Sequence, residues 1–311
     1  MSSGNLLFLL VMLLGPVVSL SSSNWVICWV GMELSFLGAI PLMLSESNFM
    51  SLSKESVIKY FCVQALGSGL LLLGGVLLFM DYSITWVFEL IFLASLFLKL
   101  GVFPLHFWVP SVAFGLSWGP MFILMVWQKI PSFAFLVNLV DGSSWVSALV
   151  LVIGGVSALV GALIGLNQSV VRPMLAGSSI AHTGWMCLGS VYGGLWIYFF
   201  LYSCSFGLLV FFLNESEDIL IGLGILGLSG LPPFVTFVGK WMVMSSVLSS
   251  GVSVGYLLLP ILSALLSLFF YLKFFYSFYL KTKFNAGGVK YSSFYALIFL
   301  SLTGVVGICL F

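Results

Sequence analysis

Five ionisable side chains of this sequence lie inside long apolar stretches: Glu33, Lys99, Lys129, His182 and Lys240. A charge at the centre of a bilayer costs roughly 2.5–3.5 kcal/mol even on a lenient insertion scale. Such residues are therefore rare in membrane spans, and several together indicate a hydrated ion or proton path. Carboxylate, ammonium and imidazole groups all bind and release protons, so the chemistry that these residues could carry is proton transfer.

The order of these groups along the chain predicts a route. Burial disfavours the charged form of a lysine, and a nearby carboxylate favours that form again. A pair formed by Glu33 and Lys99 would therefore titrate as one coupled unit. We predict a horizontal chain of proton transfer from this pair through Lys129 and His182 to Lys240. Arginine could not replace these lysines, because it stays protonated in proteins.

The composition requires membrane-spanning helices to hold these side chains. Of 311 residues, 61% are hydrophobic and only 6% are charged, whereas about a quarter of the residues of an ordinary soluble domain are charged. Apolar stretches of about 20 residues, the length of a helix that crosses a bilayer, recur along nearly the whole chain. The net charge of +1 gives no indication of nucleic-acid binding. The sequence predicts an all-α polytopic membrane protein in contact with lipids.

The apolar stretches predict about eleven transmembrane helices in a single membrane domain, residues 1–311. Their predicted limits are residues 5–22, 24–44, 57–80, 84–110, 117–138, 145–166, 173–193, 195–213, 219–248, 254–280 and 291–311. We interpret residues 1–138 and 145–280 as two five-helix repeats, followed by a C-terminal helix at 291–311. Because five is odd, the second repeat would insert with inverted topology.

The charges of the loops predict the orientation. If the helices alternate in direction, the cationic loops all face one side; they contain Lys54, Arg172, Lys281, Lys283 and Lys290. The only charged residues in the loops on the opposite side are acidic, Asp81 and Asp141. Cationic loops stay on the inner side of a membrane. We therefore expect the N-terminus on the matrix or cytoplasmic side and the C-terminus on the other side.

The fourth and ninth predicted helices contain residues that interrupt helices. Gly101 and Pro104 lie in the fourth, and Gly230, Pro232 and Pro233 lie in the ninth. Proline removes a backbone donor and clashes with the preceding turn, so each helix should break there. Interrupted helices at matching positions of inverted repeats are typical of transport sites. The alternative is a pair of unrelated proline kinks.

Other polar residues have simpler interpretations. Glu55 and Lys59 are four residues apart, which predicts an ion pair at the membrane surface. Lys273 and the tyrosines near it, among them Tyr271, are interpreted as an anchor at the membrane interface, with a role at the end of the proton path as the alternative.

Several motifs between residues 23 and about 242 resemble one known family. They are Ser23-Asn24-Trp25, residues 29–33, Ile58-Lys59-Tyr60-Phe61, Lys99-Leu100-Gly101 with residues 104–110, Trp127-Gln128-Lys129, residues 165–168, residues 178–186, residues 230–233 and Lys240-Trp241. The family is mitochondrial NADH dehydrogenase subunit 2, whose members are antiporter-like membrane subunits of complex I, the respiratory NADH:ubiquinone oxidoreductase.

The resemblance implies an antiporter-like fold and a core subunit of the membrane arm, which moves protons across the mitochondrial inner membrane in response to quinone reduction elsewhere. It assigns Glu33, Lys99, Lys129 and Lys240 to proton transfer. It also implies that NADH, FMN, iron–sulfur clusters and ubiquinone are bound by partner subunits, that this chain holds no redox centre, and that other antiporter-like subunits adjoin it. Members of the family often have Glu where this chain has Ser111, so a role for that carboxylate is in doubt here.

Two other functions fit parts of the sequence. A free-standing cation/proton antiporter would have the same fold, and exchange of sodium for protons by the isolated chain would identify it. A passive structural subunit would fill the membrane arm without moving protons. The buried lysine and glutamate residues disfavour that second alternative, because an inert helix has no reason to carry their insertion cost.

Overall fold

The computed structural model of this chain describes residues 3–45, 50–79, 85–215 and 218–284. Within those ranges the chain is helical and contains no β-strand. The chain divides into two compact units, Met1–Leu149 and Val150–Phe311. The predicted helix at 291–311 and the loop residues Asp81 and Lys290 lie outside the described residues.

The first unit contains seven α-helices, the first residues of an eighth and one π-helix within its described residues. The α-helices are α1 (Ser3–Ser21), α2 (Trp25–Ser45), α3 (Met50–Phe79), α4 (Thr85–Leu100), α5 (Trp108–Gly115), α6 (Trp118–Phe122) and α7 (Lys129–Gly142). The π-helix, Ile123–Trp127, lies between α6 and α7. Helix α8 (Ser144–Leu166) begins at the end of this unit and continues into the second.

The second unit contains five further helices within its described residues. They are α9 (Val171–Tyr192), α10 (Leu195–Glu215), α11 (Asp218–Ser229), α12 (Val235–Ser249) and α13 (Gly255–Phe284). Small residues allow close packing here, because a Cβ atom added to Gly161 of α8 would lie 2.8 Å from the carbonyl oxygen of Gly177 in α9. Such close backbone contact is typical of helix pairs in membranes.

Among the described residues, seven helical segments are long and apolar enough to cross a membrane. They lie in α1, α2, α3, the run from α6 to α7, α8, α10 and α13. Helix α9 has 22 residues but is less apolar, and every residue from Pro173 to Ser190 is buried. A helix enclosed by protein does not need an apolar surface for lipid, so its lower hydrophobicity follows from its position. The count of eleven and the inverted repeats stay predictions.

The fourth and ninth predicted helices, which were expected to break at their Gly and Pro residues, are both interrupted. Helix α4 ends at Leu100 and α5 begins at Trp108. Helix α11 ends at Ser229 and α12 begins at Val235. The residue after each first half is a glycine with positive φ, Gly101 at +70° and Gly230 at +79°. Glycine adopts this left-handed conformation without a Cβ clash, so it ends each helix.

The span predicted at 117–138 is present, and its middle is π-helical. The backbone N–H of Gln128 donates to the carbonyl of Ile123 at 3.1 Å, five residues earlier. The segment Ile-Leu-Met-Val-Trp contains no Gly or Pro. The residue types of this segment therefore do not indicate the change from α-helix to π-helix. Such π-helical turns are frequent at functional sites.

Candidate functional site

The Glu33–Lys99 contact predicted from the sequence is present. The Nζ atom of Lys99 on α4 lies 3.3 Å from Oε1 of Glu33 on α2. The Lys99 side chain is 7% exposed and that of Glu33 is 20% exposed. The pair therefore joins two helices inside the first unit, in contrast to the Lys59–Glu55 pair, which lies one helical turn apart with both side chains exposed.

Helix α3 shapes the surroundings of this ion pair. A Cβ atom added to Gly67 would lie 3.2 Å from Cγ of Lys99, so glycine leaves space for the lysine side chain. The amide Nε2 of Gln64 donates to the backbone carbonyl of Lys99 at 3.5 Å. Tyr60 is fully buried and lies close enough to Glu33 for an electrostatic interaction. Neutral groups of α3 thus surround a charged pair supplied by α2 and α4.

Lys129 is the first residue of α7 and is 4% exposed. The residue before it, Gln128, hydrogen-bonds to α2: its Nε2 donates to the carbonyl of Ser35 at 3.1 Å. Ser35 is half a helical turn beyond Glu33. This hydrogen bond fixes the start of α7 against the part of α2 that carries the glutamate.

His182 is buried in α9 and contacts two tyrosines. Its Nδ1 atom is 2.7 Å from the hydroxyl of Tyr198 on α10. Its Nε2 atom is 3.4 Å from the hydroxyl of Tyr271 on α13. The interfacial interpretation of Tyr271 is therefore wrong: this residue is 1% exposed, whereas Lys273 beside it is exposed and donates to the carbonyl of Gln168. The two residues lie on different faces of α13, which their proximity in sequence could not reveal.

Lys240 on α12 extends back to the helix interruption that precedes it. Its Nζ atom donates to the carbonyl of Ser229, the last residue of α11, at 2.8 Å. The side chain lies over Gly230, where an added Cβ would be 2.7 Å from Nζ. Thr236 donates its hydroxyl hydrogen to the carbonyl of Gly227 at 2.7 Å. Polar side chains of α12 thus satisfy carbonyl groups left free where α11 ends.

The predicted site residues are distributed over both units. Glu33, Lys99 and Lys129 belong to the first unit, and His182 and Lys240 belong to the second. Within the first unit the structure brings Glu33 and Lys99 into contact. The role of these residues in proton transfer stays a prediction.

Tyr198 is a candidate site residue that the sequence does not indicate. It lies in an aromatic stretch, Tyr198-Phe199-Phe200-Leu201-Tyr202, that looks like ordinary helix packing. Its spacing of sixteen residues from His182 gives no sign of contact. Only the packing of α10 against α9 brings the two side chains together.

The arrangement supports proton exchange at buried positions. Carboxylate, ammonium, imidazole and phenol groups can all donate or accept a proton, and here they hydrogen-bond to one another or to the backbone. Buried polar networks of this kind are costly unless their members are satisfied. Interrupted helices with buried lysines define a class of protein, the antiporter-like membrane proteins.

Comparison with known proteins agrees with this class. The family described as NADH:quinone oxidoreductase/Mrp antiporter, TM matches residues 22–218. The chain therefore belongs to this family. The matched range includes Glu33, Lys99, Lys129 and His182, and Lys240 lies beyond it.

Individual relatives narrow the comparison to one subunit. The chain is 35% identical over 252 residues to NADH-ubiquinone oxidoreductase chain 2 of Albinaria caerulea, covering 81% of both proteins. It is 36% identical over 268 residues to the same chain of Anopheles gambiae, covering 78% of this chain and 76% of that protein. A chain of respiratory complex I from Thermus thermophilus with bound aureothin has the same fold, with a TM-score of 0.75 at 23% identity, covering 86% of this chain and 69% of that chain.

Proposed function

We propose that this chain is a core membrane-arm subunit of respiratory complex I and moves protons across the mitochondrial inner membrane. Similarity to NADH-ubiquinone oxidoreductase chain 2 over about four-fifths of the chain supports this assignment. Quinone reduction in other subunits drives the transfer. The partners of the chain are other membrane-arm subunits, including adjacent antiporter-like ones, and membrane lipids. Its N-terminus faces the matrix and its C-terminus faces the intermembrane space, as the cationic loops require.

The redox chemistry belongs to other subunits. NADH, FMN, iron–sulfur clusters and ubiquinone bind there, and this chain supplies no redox centre. Its contribution is proton transfer through Glu33, Lys99, Lys129, His182 and Lys240. The irregular backbone at Gly101–Pro104 and Gly230–Pro233 supports such a role, because interrupted helices are tolerated in a membrane only where protein or a wet cavity surrounds them.

The ion pair of Lys99 with Glu33 is the observation that carries this proposal. It lies between α2 and α4, and Lys99 is two residues before Gly101, where the helix is interrupted. A lysine that exchanges a carboxylate partner for water changes its proton affinity, so movement at the interruption can alternate uptake and release. A structural subunit that moves no protons would not need such an ion pair.

Replacement of Lys99 by Met tests the proposal in the intact complex. We expect Lys99→Met to lower coupled NADH oxidation roughly tenfold or more, because the titrating ammonium is lost. Complex reconstituted in liposomes should also pump fewer protons per NADH oxidised. Lys59→Met is the matched control: it removes a lysine from an exposed Lys–Glu pair, and both quantities should stay unchanged. Normal proton stoichiometry in an assembled Lys99→Met complex would contradict the proposal.

The second candidate is a free-standing cation/proton antiporter, since the family description includes Mrp antiporters. A native gel separates the two candidates. A subunit of complex I comigrates with NADH-oxidising activity. A chain that migrates alone and exchanges sodium for protons after reconstitution would establish the antiporter instead.

A further inference from the structure

His182 lies among three buried tyrosines that the proposed path does not include. Tyr198 and Tyr202 come from α10, and Tyr271 comes from α13. The four side chains are at most 3% exposed. Phenol oxygens contact both nitrogens of the imidazole ring, Tyr198 at Nδ1 and Tyr271 at Nε2. The protonation of this histidine therefore depends on which hydroxyl donates and which accepts.

The contact with Tyr198 is the shorter of the two. A neutral imidazole has one nitrogen that donates and one that accepts, and a phenol hydroxyl can do either. The Tyr198 hydroxyl, 2.7 Å from Nδ1, can therefore exchange a proton with His182 at that nitrogen.

Tyr198 also contacts the helix that carries Lys240. Its ring lies against Gly239, the residue before Lys240, and a Cβ atom added to Gly239 would overlap the ring. Glycine therefore provides the space in which the tyrosine can reach His182. One side chain connects α9, α10 and the turn of α12 that holds the buried lysine.

We propose that Tyr198 takes part directly in proton transfer in this chain, and this rests on the proposed function above. Its hydroxyl hydrogen-bonds to Nδ1 of His182, and its ring links the histidine to the part of the path that contains Lys240. A proton from that part binds the Tyr198 oxygen as the hydroxyl hydrogen passes to Nδ1. The O–H bond that breaks is replaced by another, so the phenol stays neutral and His182 becomes the imidazolium. Loss of a proton from either nitrogen restores the neutral ring.

Tyr198→Phe in the intact complex tests this role, because it removes only the hydroxyl. Tyr202→Phe is the matched control. The Tyr202 hydroxyl is buried and has no hydrogen-bond partner in the described part of the chain, and its ring centre is 4.9 Å from that of His182. We expect Tyr198→Phe to lower coupled turnover roughly tenfold, to reduce protons pumped per NADH, and to leave the KM for quinone unchanged. Tyr202→Phe should leave all three quantities unchanged.

Gly239→Ala provides a second variant, because its methyl group would displace the Tyr198 ring while keeping the hydroxyl. It should reproduce the loss of turnover. Gly227→Ala, whose added Cβ meets no atom within 4 Å, should not. If the Tyr198→Phe complex does not assemble, the comparison of Gly239→Ala with Gly227→Ala tests the role of Tyr198 instead.

The result with Lys99→Met separates this inference from the proposed function. Loss of pumping in Lys99→Met together with normal pumping in Tyr198→Phe would overturn the role of Tyr198 and leave the proposed function standing. Normal pumping in both variants would overturn the proposed function itself. Equal losses in Tyr198→Phe and Tyr202→Phe would show that packing of the cluster, and not the hydrogen bond, is what matters.

Discussion

The two helix interruptions each lie beside a buried lysine, and the two lysines have different partners. Lys99 precedes its interruption and pairs with the carboxylate of Glu33 at 3.3 Å. Lys240 follows its interruption and donates to a backbone carbonyl, that of Ser229, at 2.8 Å. One ammonium group is therefore matched to a formal charge, and the other to the partial negative charge at the end of a helix.

The backbone carbonyl groups that each helix end leaves without a partner explain why the two lysines bind different groups. At the first interruption neutral donors satisfy them: Nε1 of Trp108 donates to Leu98 at 3.0 Å, and Gln64 donates to Lys99. The Lys99 ammonium remains available for an acid. At the second interruption Lys240 itself satisfies the backbone. Proton loss would thus unbalance a charge pair at Lys99 but weaken a charge-assisted backbone hydrogen bond at Lys240.

The largest effect on stability is expected at the charge pair. Lys99→Met leaves Glu33 without its cation, and removing one partner of a buried pair costs about 3 kcal/mol or more. Adding Glu33→Gln should recover much of that loss, because no uncompensated charge then remains. The amount of complex that assembles, and its thermal inactivation, measure both effects. A double variant as unstable as Lys99→Met would show that the pair is not coupled.

A smaller effect is expected at Lys240. Lys240→Met removes the donor to Ser229, and an unsatisfied buried carbonyl costs about 1–3 kcal/mol. Lys240→Arg keeps a donor but cannot release a proton. We therefore expect the arginine variant to assemble better than the methionine variant while pumping equally poorly. If Lys240→Arg pumps normally, proton release from this position is unnecessary.

The smallest effect concerns the glycine at the second interruption. Gly230→Ala and Gly251→Ala each place alanine at positive φ, +79° and +72°, which costs about 1 kcal/mol. Only at Gly230 would the new Cβ also press on Lys240; at Gly251 it meets no atom within 4 Å. Gly230→Ala should therefore lower both assembly and pumping, and Gly251→Ala assembly alone. Equal behaviour of the two variants would mean that the position of Lys240 tolerates displacement.

The sequence predicted the two helix interruptions because the residue types there mark helix ends. Gly101 and Gly230 end helices through positive φ, and the prolines after them prevent continuation. The length of their apolar stretches identified α1, α2 and α3 as membrane-spanning helices. The π-helix escaped prediction because a change in winding requires no special residue in the segment that adopts it.

The site was only partly predictable for a related reason. Lys99 and Lys240 stand out because a charge in an apolar stretch is conspicuous wherever it lies. Tyr198 and Tyr271 do not, since aromatic residues are common in such helices for packing and at interfaces. Their contacts with His182 join three helices, and no spacing in one helix reveals them.

Helix α9 has a consequence for how the protein is made. It is buried from Pro173 to Ser190 and carries His182 and several hydroxyl groups in its interior. Such a segment has a weaker tendency to enter lipid by itself than its neighbours, because each polar group must lose water before a protein partner is present. Its retention in the bilayer during synthesis therefore depends on helices translated before and after it. The polar residues of α9 therefore make its biogenesis cooperative.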